Sequence, residues 1–184
     1  MPAHPQDVVG FWRNAGPKRW FAKSKAFDDA IRLRFEGPHH AAARGEYDAW
    51  RDSAEGALGL LLLLDQFPRN LFRGTAHAFA TDPLARSVAR DAIAQGHDLA
   101  TEPLLRPFCY LPFEHSEDLA DQDLSVRACE ALARDAGDED TLKWARIHRD
   151  IIVKFGRFPH RNKALGRVTT AAEQAFLDEG GFAG

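Results

Sequence analysis

Between Asp138 and Phe155, the residues Trp144, Ile147, His148, Ile151 and Phe155 fall at offsets of 0, 3, 4, 7 and 11. That recurrence lays side chains along one stripe of a helix with about 3.6 residues per turn, whereas a strand alternates at every second residue. Gly156 follows and predicts the stop. The helical bias holds for the whole chain, because alanine and leucine number 49 against 17 for valine, isoleucine and threonine together. Straight and small side chains keep their rotamer freedom in a helix, while branched ones lose it there and favour strands. The expected fold is therefore all-α, a single-domain antiparallel helical array over residues 1–184.

Other helices carry their own punctuation. Asp82 followed by Pro83 marks a start, with Leu84, Ala85, Val88, Ala89, Ala92 and Ile93 on one face and Gly96 past the end. Ser53 to Phe67 is apolar nearly all round, which predicts a central helix covered on most sides and limited by Pro68. Further helices are expected over Ala26 to Phe35, Asp121 to Asp135 and Ala171 to Glu179, the last opened by a Thr170/Glu173 capping box. His39 and His40, beside Gly37-Pro38, read as a solvent-facing turn, and the tail Gly180 to Gly184 reads as frayed. Gly45-Glu46-Tyr47-Asp48-Ala49 loosely echoes a tetratricopeptide helix, but no repeat of fixed period accompanies it.

Charge and cysteine usage narrow the function classes. With 184 residues, a net charge of -3 and a pI near 6.2, the chain lacks the clustered positive charge that nucleic-acid binding needs. Cys109 and Cys129 are too few for a disulfide framework or a four-thiolate site, which fits a reducing cytoplasm. The start Met1-Pro2-Ala3-His4-Pro5 does not read as a secretory signal, and the longest apolar run, Leu60 to Leu64, is too short to span a membrane. A soluble cytoplasmic protein without nucleic-acid or membrane partners is expected. Zincin pairs, phosphate loops, dinucleotide fingerprints and nucleophile elbows are absent, and His148-Arg149-Asp150 lacks the companions of a kinase loop. No residues are assigned to a metal, and cofactor, metal dependence and oligomeric state stay open.

Three segments interrupt the helical pattern with concentrated polar chemistry. Leu64 to Gly74 contains Asp65, Gln66, Arg69 and Asn70; Phe155 to Asn162 contains Arg157, His160, Arg161 and Asn162. Each carries Phe-Pro followed closely by Arg-Asn, so an aromatic anchors a bend that proline stiffens. The polar residues fit two readings: caps for orphaned helix-end groups, or a guanidinium-lined site for a planar anion. Asp65 follows five leucines, so it needs an arginine partner, with Arg69, Arg157 and Arg161 as candidates. In the third segment, Phe108 to Asp118, aromatic residues lead into Glu114, His115, Glu117 and Asp118, which fit an acid–base histidine oriented by Glu114 or Glu117, a group holding a divalent cation, or a helix N-terminus stabilised by carboxylates. His148, on an apolar stripe, is either a core histidine or a member of a proton-transfer group.

If the segments converge, His115 and His160 are candidate acid–base catalysts and Glu114 the orienting carboxylate. Asp65, Gln66, Arg69, Asn70, His148, Arg157, Arg161 and Asn162 would then line the site of an anionic small molecule. No reaction class follows. The competing reading is a non-enzymatic module that docks a protein partner on its helical surface.

Leu-Asp-Gln-Phe-Pro-Arg-Asn-Leu-Phe-Arg-Gly at 64–74, Tyr-Leu-Pro-Phe-Glu-His-Ser-Glu-Asp at 110–118, and His-Arg-Asp-Ile-Ile with Phe-Gly-Arg-Phe-Pro-His-Arg-Asn between 148 and 162 together form a distinctive set of words. With Phe11-Trp12, Trp20-Phe21 and Phe79-Ala80-Thr81-Asp82, they make the chain resemble the bacterial domain-of-unknown-function family numbered 924. The resemblance runs from about Val8 to Phe176, and no segment departs from the pattern. It implies a compact, tetratricopeptide-like all-helical fold and no established reaction, substrate or cofactor.

Overall fold

The structure, a computed structural model, describes residues 3–183; Met1 and Pro2 of the expected leaderless start and Gly184 of the tail lie outside them. Every regular element among the described residues is helical. The chain packs as two compact units, Met1–Arg73 with His77–Pro112, and Gly74–Ala76 with Phe113–Gly184.

In the first unit, α1 (Pro5–Ala15) and α2 (Pro17–Trp20) meet through stacked indoles, Trp12 on Trp20 at 6.0 Å, while the Trp20 indole N–H donates to the Trp12 carbonyl at 2.7 Å. Trp12 is fully buried, yet Phe21 remains 69% exposed. α3 (Lys25–Ala43) is N-capped by Ser24 and runs eight residues past the expected end at Phe35. The turn expected at 37–40 does not form. Pro38 removes one backbone donor, but Phe35, His39 and Ala42 are buried on the inner face, and that burial carries the helix through.

The central helix also departs from its expected end. α4 (Ala54–Leu61), capped by the Ser53 hydroxyl, passes into a π turn over Leu62–Gln66 and on into α5 (Phe67–Leu71), with Pro68 inside the first turn of α5. The chemistry of proline explains the turn. The Phe67 N–H donates five residues back to Leu62, so the Leu63 carbonyl loses its α-helical donor. Pro68 has no N–H, so the Leu64 carbonyl loses its donor as well. Both carbonyls are satisfied from other elements: His39 Nδ1 donates to Leu63 at 2.8 Å, and the Thr81 hydroxyl donates to Leu64. Leu60 to Leu64 are all buried, as a helix covered on every side requires.

α6 (Asp82–Ala94) starts where the sequence marks it, with Thr81 rather than Asp82 in the N-cap position and Gly96 left-handed just beyond its end. Its inner face holds Ala85, Val88, Ala89 and Ala92, while Leu84 turns outward at 39% exposure. α7 (His97–Ala100) and α8 (Leu111–Glu114) are single turns.

The second unit is built on a helical hairpin. α9 (Leu119–Ala136) is capped by Asp118, and α10 (Glu139–Phe155) by Asp138, which leaves only Gly137 and Asp138 as the link. So short a link forces antiparallel neighbours, and Gly137 supplies the positive φ of 75° that the reversal requires. α10 buries Leu142, Ala145, His148, Ile151 and Ile152, so the apolar stripe is rotated from the expected one and Trp144 lies at its rim, 41% exposed. After a turn through the short 3-10 segment Pro159–Arg161, α11 (Ala171–Asp178) begins with the expected Thr170/Glu173 capping box. The tail does not fray as far as Phe182, whose ring packs on His148 at 4.4 Å between centroids. No described helix is long and apolar enough to cross a membrane.

Candidate functional site

The second unit gathers the acid–base residues. Glu114 ends α8, His148 projects from the buried face of α10, and His160 and Arg161 belong to the turn after it. Glu114 Oε1 lies 3.1 Å from His148 Nδ1, and both residues are buried, at 3% and 6% exposure. The same Nδ1 is 2.9 Å from the Trp144 carbonyl. A carbonyl oxygen can only accept, so Nδ1 carries the proton, and in the neutral ring the lone pair is on Nε2. A carboxylate behind an imidazole fixes its tautomer and stabilises the imidazolium that forms when Nε2 takes a proton.

Aromatic rings surround this pair. Phe158, fully buried, meets His148 edge-on at 5.6 Å and lies 5.6 Å from His160; Phe182 approaches both His148, at 4.4 Å, and His160, at 5.1 Å. The His115 ring is 6.5 Å from that of His148. Arg161, 6% exposed, lays its guanidinium over the Phe158 ring at 4.5 Å and donates from Nη1 to the His115 carbonyl at 2.9 Å. The second and third polar segments therefore meet within one unit.

Arg157 and Asn162 belong to a different construction there. Arg157 grips Glu173 with both ends of its guanidinium, at 2.6 and 2.8 Å, and also donates to the Val168 carbonyl. Asn162 donates to the same carboxylate at 3.3 Å, as does the Thr170 N–H at 2.8 Å. These contacts clasp α11 to the turn after α10, and the Arg157 guanidinium holds the Glu173 carboxyl down to about 2. Beside it, Arg167 is bidentate to Glu117 at 2.9 Å, and Glu117 accepts from the Phe158 N–H. Sequence reasoning did not single out Glu173 or Arg167 for these roles. The capping box signalled only half of the Glu173 function, and nothing local pairs Arg167 with a residue fifty positions earlier.

The first polar segment forms a lock within the first unit. Asp65, 1% exposed, pairs with Arg69 at 3.1 Å, one of the three partners expected for it, although Pro68 lies between them. Arg69 also reaches Asp82 through two hydrogen bonds of 3.1 Å, which ties the π turn to the start of α6. Gln66 donates to Asp65, and Asn70 to Asp28 at 2.8 Å, where Arg73 is also bidentate. These guanidiniums already hold carboxylates, which is the corner-capping role. An open groove of about 570 Å³ on this unit, bordered by Phe11, Asn14, Arg19 and Arg34, contains none of the expected site residues.

Fold and site together define an all-α protein whose second unit buries a carboxylate–imidazole pair among aromatic rings. The chain belongs to the family described as "Bacterial protein of unknown function (DUF924)", which matches residues 8–181. It is similar to a solved structure, a protein of unknown function, ATU0120, from Agrobacterium tumefaciens, at 54% identity and a TM-score of 0.88, covering 95% of this chain and 97% of that one. A comparison with curated proteins finds no match.

Proposed function

We propose that the second unit carries a general acid–base site for a small anionic molecule, in which Nε2 of His148 accepts or returns a proton. Glu114 orients the ring, the Arg161 guanidinium supplies the positive charge an anion requires, and His115 and His160 are the neighbouring imidazoles. The observation that carries the reading is the 3.1 Å contact between Glu114 Oε1 and a His148 Nδ1 that also faces a backbone carbonyl, an arrangement that fixes the proton on Nδ1 and so places the basic lone pair of the neutral ring on Nε2. It moves His148 from a binding role to the base and makes His115 and His160 its neighbours. Asp65, Gln66, Arg69, Asn70, Arg157 and Asn162 act as structural locks in this reading. A cytoplasmic setting belongs to it as well, supported by two buried free thiols whose pKa values burial pushes up to about 12.

Thermal unfolding against a panel of carboxylated and phosphorylated metabolites tests it, with the parent protein beside His148→Gln. A ligand at about 100 times its Kd adds about 2.7 kcal/mol, or roughly 5–10 °C for a chain of this size. The expected result is a shift in the parent by one chemical class that disappears in the variant. A panel without effect on the parent, or an equal shift in both proteins, rejects the proposal.

A further inference from the structure

Three imidazoles that the sequence placed in an exposed turn or passed over come together in the first unit. His39 and His40 lie near the end of α3, and His77 in the short 3-10 segment Ala76–Phe79. One ring nitrogen of each lies within 4.8 Å of those of the other two. The ring centres are 5.0 Å apart for His39 and His40, 6.0 Å for His40 and His77, and 6.4 Å for His39 and His77. Rings bound through one nitrogen to a common tetrahedral ion, with bonds of about 2.0–2.1 Å, have centres about 5 Å apart. His39 and His40 already meet that spacing. His77 would close it by moving about 1 Å, and as an exposed residue stacked on Phe72 at 4.2 Å it has the room.

His39 is 0% exposed, its Nδ1 donates to the Leu63 carbonyl at 2.8 Å, and its Nε2 is buried without a hydrogen-bond partner. A buried polar nitrogen left without a hydrogen bond is costly, and the bond from Nδ1 to a backbone carbonyl fixes the lone pair of the neutral ring on Nε2. That is the orientation a metal-bound histidine takes, with the far N–H held by a carbonyl or carboxylate behind it. The carbonyl is available because of the π turn at Leu62–Gln66, so the break in the central helix also sets the ligand.

We propose that His39, His40 and His77 form a three-imidazole site for a divalent transition-metal ion of the zinc type, with a fourth position open to solvent beside His77. Three neutral nitrogens select borderline ions over calcium or magnesium, which require oxygen donors. The site belongs to the first unit and uses none of the residues of the proposed acid–base site, so either reading can fail alone.

The test is titration of the full chain, free of any affinity histidine tag and dialysed against a chelator, with Co²⁺ and then competing Zn²⁺. One ion per chain is expected, with the intense visible bands of tetrahedral Co²⁺, a Kd below about 10 µM, and bleaching by Zn²⁺. His77→Ala and His40→Ala should each weaken binding at least about tenfold while circular dichroism stays unchanged. His39→Ala is unsuitable, because it also strips the Leu63 carbonyl of its donor. Binding of the parent only at millimolar metal, or binding retained by both variants, overturns the assignment.

Discussion

Replacing Thr81 with valine isolates one hydrogen bond on which the central helix depends. The two side chains have nearly the same shape, so the variant removes the donor to the Leu64 carbonyl and opens no cavity. Thr81 is the N-cap of α6, but its side chain makes no capping bond there, so the end of that helix is not confounded with the measurement. A buried carbonyl left without a partner costs about 1–3 kcal/mol, which for a chain of this size lowers the midpoint of thermal unfolding by roughly 2–12 °C. Because the carbonyl is orphaned by the missing N–H of proline, Pro68→Ala supplies a backbone donor four residues on, and Thr81→Val in that background should cost less than about 0.5 kcal/mol. Urea unfolding followed by circular dichroism for the parent, both single variants and the double variant gives the cycle, and a coupling energy of about 1 kcal/mol or more is expected. Equal costs for Thr81→Val in the two backgrounds would falsify the account of the π turn.

Glu173 predicts an acid-dependent loss of stability. Held down to about 2 by the Arg157 guanidinium and the Thr170 N–H, its carboxylate contributes fully above its ordinary value of 4.5, and that contribution drains away as the pH falls from there towards about 2. Glu173→Gln should flatten this part of the stability curve, and parallel thermal-midpoint curves for parent and variant across that window reject the clasp. Two glycines separate steric need from indifference. A Cβ on Gly56 would come within 2.1 Å of the Trp50 carbonyl oxygen, so Gly56→Ala must displace the backbone of the preceding turn and lower the midpoint by several degrees. Gly10, inside α1, has nothing within 4 Å of the equivalent position, so Gly10→Ala should raise stability by up to about 1 kcal/mol. Equal effects at both positions in a denaturation experiment contradict the packing around α4.

The elements that could be read from the sequence are those whose signals are local. Thr170 and Glu173 stand three residues apart and form the capping box they spell, while Asp82-Pro83 opens α6 within one residue of its observed cap. The Asp65–Arg69 pair was within reach for the same reason, as four residues separate them. Where a signal depends on a partner from elsewhere, proline misled. Pro38 reads as part of a turn and Pro68 as a helix end, yet both lie inside helices, because local propensity lost to the burial of Phe35 and His39 in one case and Leu60 to Leu64 in the other.

The consequence of Pro68 reaches furthest. Its missing N–H and the five-residue step at Phe67 leave two carbonyls that only residues from α3 and the start of α6 can satisfy. His39 looked like part of an exposed turn because the acceptor that buries it, the Leu63 carbonyl, exists only once the central helix has shifted its register. The tautomer of His39, and with it the Nε2 lone pair that the proposed metal site would use, is thus a product of a backbone irregularity that no spacing pattern records. A Pro68→Ala chain in which the π turn reverts to α-helix should return the Leu63 carbonyl to its backbone donor and loosen the His39 ring. Cobalt affinity and helix register would then weaken together, which links the fold of the central helix to the metal site by one shared hydrogen bond.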